Sequence, residues 1–178
     1  MEKEKILVSA CFVSEGYKYS GGANINEKVL KLKEKYDFIL ICPEVFGGLP
    51  TPRVPSEIIS DKVMNSIGED VTLAFHRGAD MALELAKKHN CKIAVLKAKS
   101  PSCGKGYIYD GSFTHTTTSG NGVAAKLLMD NGSIWVTLDD NEAFYCKVLM
   151  DELFGRKNFV GSIIWEKACR NCLLLYFV

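Results

Sequence analysis

The sequence predicts an α/β protein, a three-layer sandwich with a mostly parallel central sheet, and three observations carry that prediction. Short apolar runs alternate with longer amphipathic stretches, so strands and helices follow one another in turn. The apolar runs are continuous instead of alternating, as in strands buried on both faces. Alternation of this kind implies parallel pairing through right-handed crossovers.

The first run, Lys5-Ile6-Leu7-Val8-Ser9-Ala10-Cys11, follows a charged start and precedes the polar, Gly-containing residues 14–22, which predicts a buried strand entering a loop. Over residues 26–36, Val29, Leu32 and Tyr36 recur at spacings of three and four among lysines, the pattern of an amphipathic surface helix. A second strand is predicted over residues 37–42, stopped by Pro43, which cannot donate to a ladder. Residues 43–55 contain Pro43, Pro50, Pro52, Pro55 and Gly47-Gly48 and predict a long, stiffened loop of the kind that carries function. After Gly68 a helix is predicted to about Asn90, with Ala79, Ala82, Leu83 and Ala86 as its apolar stripe. It feeds a third strand over residues 92–98. A further helix with Val123, Leu127 and Leu128 inward stops at Asn131-Gly132, and a fourth strand follows over residues 133–138.

A chain of 178 residues with 47% hydrophobic and 24% charged residues can bury one sizeable core. The net charge of +1 gives no electrostatic reason to expect nucleic acid or an anionic membrane as a partner. Met1-Glu2-Lys3-Glu4-Lys5 does not open a signal peptide, and no run approaches the roughly 18 apolar residues of a membrane span. The expectation is a cytoplasmic protein acting on a small-molecule substrate, with its oligomeric state left open. In a reducing compartment, seven cysteines, an odd number, do not suggest a disulfide framework, so each thiol is a small core hydrophobe, a ligand or a nucleophile.

Three of those thiols share a topological property. Cys11 ends the first predicted strand, Cys42 ends the second, and Cys103 lies in Ser100-Pro101-Ser102-Cys103-Gly104 just beyond the third. In a parallel sheet those ends form one edge, where α/β proteins place their sites. Cys91 precedes its strand and belongs at the opposite edge. Three thiolates suit zinc completed by another ligand or water, or an iron–sulfur cluster with one iron free of protein ligands. His76, His89 and His115 are the histidines that could supply a fourth zinc ligand; His89 lies near the wrong end of a helix, and His115 follows Asp110-Gly111 in a loop near the right edge. On spacing alone, a metal site and three unrelated core thiols are evenly balanced. Gly120-Asn121-Gly122 does not directly follow a strand and is no dinucleotide fingerprint.

Longer blocks add a resemblance. Val8-Ser9-Ala10-Cys11, Ile41-Cys42-Pro43-Glu44-Val45-Phe46-Gly47-Gly48-Leu49-Pro50-Thr51-Pro52-Arg53, Gly68-Glu69-Asp70-Val71-Thr72, Lys97-Ala98-Lys99-Ser100-Pro101-Ser102-Cys103-Gly104 and Tyr109-Asp110-Gly111 resemble, in order, the signature blocks of the bacterial family catalogued as domain of unknown function 523. The likeness covers about residues 5–130. That family includes enzymes similar to thiouracil desulfidase, with a [4Fe-4S] cluster on three cysteines. The resemblance implies such a cluster on Cys11, Cys42 and Cys103, and a non-redox, hydrolytic desulfuration of a small thiolated heterocycle such as a thiopyrimidine. A free iron is a Lewis acid toward a thiocarbonyl sulfur.

Glu44, Ser100 and Ser102 are then the candidate catalytic residues. Glu44 is the candidate general acid or base; otherwise it is an ordinary loop carboxylate. Ser100 and Ser102 either hydrogen-bond substrate or cluster sulfide or simply build a Ser-Pro turn. Arg53 is expected to pair with Glu57, with substrate binding as its other reading. Tyr109-Asp110-Gly111 reads first as a turn.

From Asn131 the chain is similar instead to an internal piece of adenine-specific DNA methyltransferases, through Ser133-Ile134-Trp135-Val136-Thr137-Leu138-Asp139-Asp140 and, further on, Asp151-Glu152-Leu153-Phe154-Gly155. The expected division is an α/β domain over 1–131, a methyltransferase-like fragment over 132–167 that completes or extends it, and an apolar, poorly packed tail over 168–178. The sequence has neither the Asp/Asn-Pro-Pro-Tyr loop nor the cofactor loop that methylation needs. The alternatives to the desulfidase reading are a non-catalytic metal- or cluster-binding module and an inactive fragment related to such a methyltransferase.

Overall fold

A computed structural model describes residues 2–131 and the backbone of 134–138. Four parallel strands make the central sheet, β1 (Glu4–Ser9), β2 (Tyr36–Ile41), β5 (Ile93–Lys97) and β8 (Ile134–Leu138), in the order β2-β1-β5-β8. Registers are continuous: Ser9 lies beside Ile41, Val8 beside Val95, and Ile93 beside Ile134.

The apolar runs divide by parity between two faces. Leu7, Ile41, Ala94 and Leu96 pack with Ala79, Ala82 and Ala86 of α3 (Thr72–Lys88) and Ala124, Ala125 and Leu128 of α4 (Val123–Asp130). Ile6, Val8 and Val95 face the other way, onto Phe12, Val29, Leu32 and Tyr36. Helix, sheet and a thinner helical layer are thus three layers. The small residues of α3 bring its backbone close to the sheet, and apolar burial at about 25 cal/mol per Å² drives the assembly.

Several elements depart from the sequence expectation. The helix over 26–36 is shorter: Asn26 caps α1 (Glu27–Lys31) through Val29 N–H at 3.2 Å, a 3-10 turn follows over Leu32–Glu34, and Tyr36 already belongs to β2. The proline-rich loop contains a one-turn helix, α2 (Pro43–Phe46). Two antiparallel hairpins outside the main sheet were not expected, β3 (Ser56–Ile59) with β4 (Lys62–Asn65), and β6 (Tyr107–Tyr109) with β7 (Thr117–Ser119). The first turns through Ser60 at φ +58°, where the Asn-Gly or Asp-Gly signal of tight hairpins is absent. Among the described residues no helix is long and apolar enough to cross a membrane. The expectations for residues 139–167 and for the tail over 168–178 lie outside the described residues.

Candidate active site

The sheet delivers the three cysteines to one edge. β1 ends at Ser9 and runs into a 3-10 turn, Ala10–Phe12, that carries Cys11. β2 ends at Ile41, and Cys42 is the N-cap of α2. β5 ends at Lys97, and the following turn carries Cys103. Cys91 lies at the other edge, buried, with Lys5 and Glu4 at the start of β1 as its charged neighbours. All four described cysteines are free thiols.

The Cys42 turn is seated by glycine. Pro43 stands at the first helical position, where its missing N–H costs nothing. The carbonyl of Cys42 accepts from Phe46 N–H at 2.9 Å, and that of Pro43 from Gly47 N–H at 2.8 Å. A methyl group at Gly78 of α3 would come within 1.7 Å of the Pro43 oxygen, and one at Gly47 within 2.0 Å of the Ala74 oxygen. Two bare backbones therefore touch, and the contact fixes where Cys42 and Glu44 stand.

The Cys103 turn is built from its own polar groups. Ser100 Oγ accepts from the N–H of Ser102 at 3.1 Å and of Cys103 at 3.2 Å, and Ser100 O accepts from Gly104 N–H at 2.8 Å. The carbonyls of Pro101 and Ser102 accept from Val123, Ala124 and Ala125, the orphan N–H groups of the first turn of α4. Gly122 permits that approach, since a methyl group there would lie 2.5 Å from the Ser102 carbonyl.

A polar network joins the two turns. Glu44 Oε1 accepts from Ser100 Oγ at 3.4 Å, and Glu44 Oε2 from Arg53 Nε at 2.8 Å. Arg53 thus pairs with Glu44 and not with Glu57, contrary to the sequence expectation. Glu57 is buried in β3, where its Oε2 accepts from Gly111 N–H at 2.8 Å and Phe113 N–H at 3.0 Å and ties the second hairpin's loop to the first. Ser102 is fully buried, and its Oγ has no hydrogen-bond partner among the described residues. Tyr109 meets His115 edge to face at 6.1 Å.

The thiols share one electrostatic environment. Burial pushes Cys103 far up, the Cys42, Glu44 and Cys11 sites add to the rise, and only Ser9 opposes it. Burial also raises Cys42, against the Val45 N–H and Arg53, with Glu44 and Cys11 adding to it. Cys11 is raised by burial and Glu44, and drawn down by the Asn24 side chain and Lys97. Left to themselves these groups stay protonated thiols, and a bound cationic metal group is what would make them thiolates.

The donor set fits a cluster. Among the described residues no three His, Cys, Asp or Glu side chains could hold a single metal ion. A cluster asks for something else, one thiolate on each of three irons, hence soft ligands that face a common space without meeting at a point. Ser9 and Asn24 escaped sequence reasoning. Ser9 had left a mark there, as the one polar residue inside the first apolar run. Its Oγ accepts from Lys97 N–H at 3.0 Å while the side chain stays buried. Asn24 had none, because the loop that returns it to Cys11 closes through Asn24 N–H to Cys11 O at 2.7 Å.

Comparison with known proteins gives this geometry its context. The family model described as 2-thiouracil desulfurase matches residues 6–140. The uncharacterized protein YbbK of Bacillus subtilis (strain 168) is 38% identical over 147 residues, which is 77% of this chain and 96% of the relative. A solved [4Fe-4S]-dependent thiouracil desulfidase, TudS, superposes with a TM-score of 0.73 at 36% identity, covering 83% of this chain and 99% of that one. A short segment is similar to the Mod subunit of the type III restriction-modification enzyme StyLTI from Salmonella typhimurium, 44% identical over 45 residues, or 25% of this chain and 7% of the subunit.

Proposed function

The chain belongs to the 2-thiouracil desulfurase family, and from that premise we propose that it is a [4Fe-4S]-dependent enzyme that hydrolyses the carbon–sulfur bond of a small thiolated heterocycle, with 2-thiouracil as the reference substrate. The observation that supports the reading is the placement of Cys11, Cys42 and Cys103 beyond the carboxyl ends of β1, β2 and β5, with Glu44 bridging the Cys42 turn to the Cys103 turn through Ser100. Their thiolates would hold the cluster. When bound, the group supplies a Lewis acid for the substrate sulfur, without any change of oxidation state.

The chain's own residues handle protons and position. In the overall change water gives its oxygen to the ring carbon, the C=S bond is replaced by C=O, and the sulfur leaves with both protons as hydrogen sulfide. Glu44 is suited to take the proton of the attacking water at one carboxylate oxygen and pass it on. Its Oε1 is reached by the Ser100 hydroxyl, which helps to orient the carboxylate toward the Cys103 turn. Ser102 carries an unspent buried hydroxyl beside Cys103, suited to donate to cluster sulfide. A reducing cytoplasm suits the three thiols. The likeness to the Mod subunit spans too little of that protein to support a methyltransferase reading.

The test is direct. Anaerobically reconstituted protein should release sulfide from 2-thiouracil without added reductant. Glu44→Gln should keep the cluster's absorption and lose about 10²-fold in turnover, the scale for removing a general acid or base. Cluster-loaded protein that releases no sulfide from any thio-base would refute the enzymatic reading.

A further inference from the structure

Arg53 closes the proline-rich loop, yet its side chain is only 7% exposed. Its whole donor fork is engaged. Nε donates to Glu44 Oε2 at 2.8 Å; Nη1 donates to Pro50 O at 3.3 Å and to Thr51 Oγ1 at 3.2 Å; Nη2 donates to Tyr17 O at 3.2 Å and lies 4.0 Å from Cys42 Sγ. Its backbone N–H donates to Tyr19 O at 2.8 Å. Cys42 Sγ is itself 3.6 Å from the same Tyr17 carbonyl.

One residue therefore holds three separate pieces of chain: the Cys42–Glu44 turn, the stretch 50–53, and the loop over residues 14–22. A residue needed only to staple loops would be content with main-chain acceptors such as Tyr17 O and Pro50 O. Arg53 directs Nε to the carboxylate at the site and Nη2 to the side of a ligand sulfur. A planar guanidinium can meet all these acceptors at fixed angles, which a lysine ammonium cannot.

We infer that Arg53 is the positioning residue of this site: it fixes the rotamer of Glu44 and pins residues 17–19 against Cys42, so that carboxylate, ligand sulfur and loop keep one relative geometry. The inference rests on the function proposed above and adds to it a residue that acts through others. Glu44 is thereby held in a single orientation beside Cys42 and the 14–22 loop.

The experiment compares the full-length wild type, Arg53→Lys and Thr51→Val after anaerobic reconstitution. It reads iron per chain, visible circular dichroism of the cluster, hydrogen exchange in residues 14–22, and kcat and KM for 2-thiouracil. Arg53→Lys keeps the charge and loses the fork. It is expected to load iron like wild type, to change the visible dichroism, to speed exchange in the loop, and to lower kcat by about 10- to 100-fold with KM within about threefold, the signature of a misplaced group. Thr51→Val removes one anchor of the fork and should move the same readouts in the same direction by less, which keeps the test open if the lysine variant folds poorly.

The inference is overturned if Arg53→Lys retains wild-type dichroism and kcat, if kcat falls only in proportion to lost iron, or if KM alone changes. Should the loaded wild type release no sulfide, the proposed function fails by itself. Dichroism and loop exchange then still decide the role of Arg53, upholding it if both change and overturning it if neither does.

Discussion

The Cys42 turn and the Cys103 turn are built on one plan and finished in different ways. Each follows a strand of the parallel sheet, and each is pressed by a glycine contact onto a helix, Pro43 against Gly78 in α3 and Ser102 against Gly122 at the head of α4. Yet Cys42 remains partly exposed, with an arginine and a carbonyl beside its sulfur, whereas Cys103 is 5% exposed and packed among Leu7, Ala94, Leu96 and Ala124. The sheet supplies the common edge, glycine supplies close approach, and the neighbours set how wet and how charged each thiol is. Cys42 thus lies on the polar side, with Arg53 and Glu44, and Cys103 lies in the apolar interior.

Replacing the cysteines gives the largest effect and tests the contrast. Cys11→Ser, Cys42→Ser and Cys103→Ser should each lose cluster and sulfide release together. The metal-free proteins should then differ from one another. Cys103→Ser puts a hydroxyl into an apolar cluster and is expected to lose about 1–3 kcal/mol in urea denaturation. Cys42→Ser keeps a carbonyl acceptor at hand and should lose under about 0.5 kcal/mol. Equal losses would erase the distinction between the buried and the half-exposed thiol.

The glycine contacts come next. Gly→Ala inside an exposed helix normally gains about 0.5–1 kcal/mol. Gly78→Ala should instead lose about 1–3 kcal/mol, because the new methyl group would meet a backbone oxygen that must move. A shift of about 1 Å in Glu44 is also enough to cost roughly 10²-fold in kcat. Gly122→Ala should disturb the other turn: alkylation of the metal-free proteins, read by mass spectrometry, is expected to speed at Cys42 in the first variant and at Cys103 in the second. Matching patterns in the two variants would show that the turns move as one body.

What the sequence could and could not reveal follows the same line. Strands β1, β2 and β5 and the shared edge of the three thiols were legible, because continuous apolar runs separated by helices admit little other than a parallel sheet. The contacts that finish the site were not. Glu44 meets Ser100 across 56 positions of sequence, and Arg53 chose Glu44 over Glu57 because the one-turn helix α2 brings that carboxylate back toward residue 53. Prolines hid α2 by suggesting an irregular loop, although Cys42 followed by Pro43 is itself the sign of a helix start. The role of Gly78 was hidden too, since a glycine inside a helical pattern shows nothing of the backbone that will lie against it.

The smallest expected effect lies at the start of α3, against which the Cys42 turn packs through Gly47 and Ala74. Asp70 Oδ1 accepts from Thr72 N–H at 3.0 Å, and Oδ2 lies 3.1 Å from Lys62 Nζ. The Thr72 hydroxyl and amide, followed by Lys62, lower the Asp70 pKa from 3.8 to about 2. Because the folded state holds the proton less tightly than the unfolded one, the contribution is fully present above about pH 4 and fades as pH falls through about 2. Asp70 is exposed, so the effect is small and salt should weaken its Lys62 part. Asp70→Asn in the metal-free protein should therefore lower the melting temperature slightly at pH 7 and keep that gap down to about pH 4. The gap should narrow between pH 4 and 2. Alkylation of Cys42 should quicken a little in this variant while that of Cys103 stays unchanged, because the close contact at the head of α3 is with the Cys42 turn, Gly47 against Ala74. A gap independent of pH would mean that the carboxylate's charge has no part in holding the head of α3, and quickening at Cys103 as well would mean that the two turns are not supported separately.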